Sequence, residues 1–163
     1  MKNNKLLQAL YTVFLGVLIA IFIGVGVSTF YEAPKPPKYE SSVATKYEGN
    51  MPDEETILKD QQENERYTEE RKEYARNVSI ILMSAAVVLV VGSIMVENKG
   101  SFFSDGIMLG GLITLVHSII RGGESEDSKF LFVATTIGLL VVLYLGYHRF
   151  AEKKLKVTAK RKK

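Results

Sequence analysis

Four long apolar blocks, almost free of charge, constrain this chain more than any other feature. They cover residues 6–31, 78–96, 102–120 and 130–147. The first has 26 residues, the second and third 19 each and the fourth 18. At about 1.5 Å of helix rise per residue, about 20 residues cross a hydrocarbon core roughly 30 Å thick. The first block exceeds that need and the other three just meet it. Blocks this poor in charge leave no polar exterior for a soluble fold. The pattern therefore predicts an all-α integral membrane protein of about four transmembrane helices. The mean hydropathy of +0.07 conceals this, because the 24% of residues that are charged lie mostly between the blocks.

Lys2 and Lys5 precede the first block, as in a signal peptide. Its apolar run is far longer than the usual h-region of about 7 to 15 residues, and no A-x-A site follows, which favours an uncleaved anchor. Residues 97–101 read as a turn, with Gly100 ending one helix and Ser101 able to cap the next, so the second and third spans form an antiparallel hairpin. The polar connection 121–129 suits a second hairpin. The third block is the least regular, containing Asp105, Gly106, Gly110, Gly111 and His117. A re-entrant segment remains open there.

Charge sets the orientation. With four spans, residues 1–5, the 97–101 turn and the 148–163 tail share one side, at net +9, while 32–77 and 121–129 share the other, at net −5. The dense tail holds Arg149, Lys153, Lys154, Lys156, Lys160, Arg161, Lys162 and Lys163 against Glu152 alone. Positive charge directly after a span marks the cytoplasmic side, so both termini are expected there, in a plasma membrane. The same tail is expected to contact anionic lipid headgroups. Aromatic residues Phe30, Tyr31, Phe102, Phe103, Tyr144, Tyr147 and Phe150 fall at the span ends as interfacial belts.

On the other side, residues 32–52 contain Pro34, Pro36, Pro37 and Pro52 and read as an extended spacer. A helix start follows, with Asn50 as cap and Asp53, Glu54 and Glu55 near the positive end of the helix dipole. From 53 to 77, 14 of 25 residues are charged. Glu55/Lys59, Glu63/Arg66, Glu69/Lys72 and Glu73/Arg76 stand at helical spacing for pairing. This long charged extramembrane helix leads into the second span, either continuously or with a break near Asn77. Tyr67 and Tyr74, in register with Ile81, give it a thin stripe. It is a candidate coiled coil or docking stalk for self-association or a protein partner; the alternative is a solvated helix held by its own ion pairs.

Within lipid, small residues let helices approach. The first span carries Gly16, Ala20, Gly24 and Ser28 at four-residue spacing; the third has Gly106 and Gly110, the fourth Ala134 and Gly138. These are expected to pack the bundle internally. Asp105 and His117 are the candidate intramembrane polar site. Asp105 is expected in the first turn of the third span as a cap, and His117, on the Gly106/Gly110 face, is expected to point into the bundle. Twelve residues apart, they stand about 18 Å and 120° from each other and cannot form one acid/base pair.

The function classes narrow accordingly. No cysteine is present, which excludes disulfides and thiolate chemistry. No paired carboxylates, nucleophile with its base, or His/Glu metal set appears, so neither catalysis nor a cofactor is expected. No specific small-molecule ligand is indicated, and nucleic acid is a weak option because the basic charge abuts a span. The reading is a structural, accessory or interaction subunit of a membrane complex. Its alternative is a small channel or transporter subunit using the Gly/His-containing third span.

Overall fold

The computed structural model of the protein describes residues 2–37, 54–96 and 101–161, with side chains for 4–37, 54–55, 57–96 and 102–148. The described residues form four α-helices: α1 (Lys2–Phe30), α2 (Glu54–Val96), α3 (Ser101–Gly123) and α4 (Ser128–Arg161). Each is long and apolar enough over part of its length to cross a membrane. The spacer is described only to residue 37, where its backbone has no regular structure. Its remainder, with Asn50 and Pro52, lies outside the described residues, as do 97–100 of the turn and Lys162 and Lys163.

The helices outrun the apolar blocks at several ends. α2 passes Asn77 without a break and is a single helix of 43 residues, about 65 Å long. Glu54 and Glu55 occupy its first turn, opposite the helix dipole, and neither Gly nor Pro interrupts it before Gly92. α4 likewise continues beyond 147 through the basic segment to Arg161, where Ala, Glu, Leu and Lys are all good helix formers. Hydropathy marks where lipid ends. The helix itself closes its hydrogen bonds internally and need not stop there.

The connection expected over 121–129 is shorter. α3 runs to Gly123, and only residues 124–127 separate it from α4. Glu124, Ser125 and Glu126 N–H groups donate to the carbonyls of Arg121, Gly122 and Gly123 at 3.1, 3.2 and 3.3 Å, winding up the helix end. Glu126 then takes a left-handed conformation, with φ 55°. Asp127 starts the next helix: its Oδ1 accepts from Lys129 N at 3.0 Å and Phe130 N at 3.2 Å, satisfying two donors that α4 leaves free at its start.

α3 is the hub. It packs most extensively on α2, then on α1, then on α4, whereas α1 and α4 make no contact among the described residues. The four helices alternate in direction. Phe102 at the start of α3 shares a cleft with Asn4, Leu7 and Tyr11 of α1 at what we term the N-terminal end. At the opposite, loop end Tyr31 stacks on Tyr74, and Lys72 of α2 reaches Glu126. The third block, the least regular in sequence, is thus an unbroken helix of 23 residues at the centre of the fold.

Candidate functional site

The α2–α3 contact is a seam of small residues. Ser79, Ala86 and Ser93 recur every seventh residue on α2, and Ser104, Gly111 and Ser118 do so on α3. Facing positions have numbers that add to 197, an antiparallel register held over the whole seam. Near the loop end, Ser79 Oγ donates to the Ser118 carbonyl and Ser118 Oγ donates to the Ser79 carbonyl, both at 2.8 Å. Near the N-terminal end, Ser104 Oγ donates to the Ser93 carbonyl at 2.7 Å. Each of these four serines is at most 1% exposed. In a medium without water, buried hydroxyls need such partners, and small side chains allow the backbones close enough to supply them.

Gly110 and Gly111 show why α3 can serve two neighbours. Consecutive helix residues point about 100° apart, so one faces α1 and the next faces α2. A Cβ on Gly110 would lie 3.0 Å from Ile19 Cβ and 3.1 Å from the Gly16 carbonyl oxygen. One on Gly111 would lie 3.0 Å from Val90 Cγ2 and 3.3 Å from the Ala86 carbonyl oxygen. Gly16 is buried against Leu109, and Gly106 against Leu15. On the other flank Ala134 is buried, and Gly138 lies against Ile119 and Leu115. Of the remaining small residues of α1, Ala20 is half-buried, and Ser28 is exposed and donates to the Val25 carbonyl within its own helix.

The loop end fixes the root of the long helix. The Tyr31 and Tyr74 rings stack with centroids 5.2 Å apart, Tyr74 Oη donates to the Tyr31 carbonyl at 3.2 Å, and Asn77 Nδ2 donates to Tyr31 Oη at 2.9 Å. A second fastening lies beside it, where Lys72 Nζ meets Glu126 Oε2 at 2.6 Å. Tyr74, one of the thin stripe with Tyr67, is committed to α1, because the end of α1 delivers an aromatic ring to the same level. Ion pairing is also rearranged. Glu55–Lys59 forms at 2.8 Å, but Arg66 pairs with Glu70 rather than Glu63, and Lys72 reaches across to Glu126 rather than to Glu69.

Two expectations about polar residues need correction. Asp105 does not lie in the first turn of its helix, which starts at Ser101 and holds no acidic residue in that turn; it stands in the second turn, half-buried. His117 does lie on the face of α3 turned to α1, but its side chain is exposed. Gly24 of α1 stands opposite, where a Cβ would lie 3.9 Å from His117 Cε1. Among the described residues no group of three or more His, Cys, Asp or Glu could hold a metal ion. The side chains of Arg149, Lys153, Lys154, Lys156, Lys160 and Arg161 lie outside those described; their backbone belongs to α4.

The seam and the Tyr31–Tyr74 contact escaped the sequence reading. A seven-residue repeat of Ser, Ala and Ser was visible in α2 and could have been sought; the tyrosine pair, 43 residues apart, leaves no local signal. Comparison of this chain with family models, curated proteins and solved structures finds no match.

Proposed function

We propose that this protein is a structural or accessory subunit of a membrane complex. Its four-helix platform holds the charged half of α2 outside the bilayer as a docking stalk, and the basic end of α4 lies on the cytoplasmic side of the plasma membrane against anionic lipid. The observation that supports this reading best is the unbroken course of α2 across Asn77, with two fastenings at that level. A solvated helix with no task needs neither a rigid root nor a fixed direction. Ile57 and Leu58, 43% and 57% exposed near the far end of the stalk, are its apolar contact points.

A photo-crosslinking residue placed at Leu58 in cells tests this. The expected result is one discrete adduct, formed from position 58 and absent from the lipid-facing position Val88. An adduct of twice 18.2 kDa identifies the partner as a second copy. Stalk positions that yield no adduct, in cells where the protein is inserted normally, would falsify the reading. The alternative of a channel or transporter subunit draws on the exposed His117 of α3. Ion flux through purified protein in liposomes that His117→Ala abolishes would favour it.

A further inference from the structure

A cleft opens between α2 and α4 on the surface turned to lipid. α2 contributes Ile80, Ser84 and Val87, and α4 contributes Phe130, Ala134 and Ile137. Corresponding positions differ by 50 throughout, because the two helices run in parallel on the same side of α3. The cleft is an open groove of about 490 Å³, long and shallow enough for a chain lying along it. Its only hydroxyl is already used, since Ser84 Oγ donates to the Ile80 carbonyl at 2.9 Å. The lining therefore asks for hydrocarbon.

The mouth of the cleft at the loop end asks for an anion. Arg76 lies one turn beyond Ile80 on the same face of α2, and Lys129 borders Phe130 on α4; both are exposed. Nearby Lys72 and Arg121 are neutralised by Glu126 and Glu124, but Arg76 and Lys129 form no ion pair with another described residue. Asp127, the acid nearest Lys129, is occupied in capping α4. Glu73 stands three residues farther from the span than Arg76. Two exposed cations outside any ion pair, at the end of an apolar cleft, match a phosphate joined to an acyl chain.

We propose that this cleft holds one acyl chain of a phospholipid from the leaflet at the loop end, with its phosphate on Arg76 and Lys129. The site lies at the opposite end of the fold from the basic tail. It is tested by native mass spectrometry of the full chain in mild detergent, titrated separately with dioleoyl phosphatidylglycerol, sodium oleate and inorganic phosphate. One phosphatidylglycerol should be retained at low occupancy of detergent-borne lipid, and neither oleate nor phosphate should match it. The R76Q/K129Q double variant should bind about thirtyfold more weakly, the loss expected for two interfacial cations at about 1 kcal/mol each. Ser84→Phe, which fills the cleft from an exposed position, should remove the retained lipid. Equal retention by the parent and both variants would mean only the general lipid shell and would overturn the proposal. So would oleate binding as tightly as the phospholipid, or a dimer that forms through the cleft and is lost in Ser84→Phe. Since Arg76 and Lys129 are exposed, the double variant keeps the test valid even where Ser84→Phe folds poorly.

Discussion

Gly111→Leu should separate α2 from α3 and destabilise the protein strongly. The new side chain would meet Val90 and Leu89 and, within 3.3 Å, the Ala86 carbonyl oxygen. The two alkyl groups can shift; the backbone oxygen cannot without moving α2. Overpacking of this kind costs about 1 to 3 kcal/mol, and here it also lengthens the hydrogen bonds of Ser79, Ser104 and Ser118 on either side. Thermal unfolding in mild detergent measures the loss. Gly111→Ala should fall between Leu and the parent. Gly92→Ala is the control, since a Cβ at Gly92 meets nothing within 4 Å. An equal effect of substitutions at 92 and 111 would mean that α2 and α3 are not in the register described.

Arg71→Pro should have the second large effect, and it should be confined to the stalk. Proline at this position removes the hydrogen bond from residue 71 to the carbonyl of residue 67 and clashes with that carbonyl, at a cost of about 3 kcal/mol in a helix interior. Arg71 is exposed, so no tertiary contact is lost with it. The Tyr31–Tyr74 stack and the Lys72–Glu126 pair lie on the bundle side of the break and should hold the span in place. Spin labels at positions 60 and 124 report the outcome. In the parent, the distance between them should be narrowly distributed, because one helix joins residue 60 to the level of the loop. In Arg71→Pro it should broaden, while the unfolding temperature of the bundle changes little. A broad distribution already present in the parent would contradict a rigid stalk.

The sequence revealed most of the architecture and little of what locks it. Long charge-free blocks are a signal of length and solubility, and these two properties alone require four helices. They say less about helix ends, so the extension of α4 to Arg161 and the shortness of the 124–127 link lay outside the hydropathy pattern. The Gly106/Gly110 face was readable as a packing face, but not its partner, since small residues look alike wherever they recur. Ser79, Ser93, Ser104 and Ser118 look like isolated polar intrusions in an apolar run. Only the antiparallel pairing of two helices turns them into donors facing carbonyls. His117 illustrates the limit of the helical wheel: its direction around α3 followed from spacing, but its exposure did not. The third block seemed weakest as a span because of its glycines and Asp105. Those glycines are what allow α3 to sit between α1 and α2.

Four crossings would place the stalk and the basic end of α4 on opposite sides of a membrane, as proposed above. The chain has no cysteine, so single cysteines can be introduced at Asp60, Glu124 and Thr158 without a background to remove. Labelling sealed vesicles of one orientation with a membrane-impermeant maleimide then reads the topology directly. Positions 60 and 124 should react from one face and position 158 only from the other. Reaction of all three from the same face would contradict it.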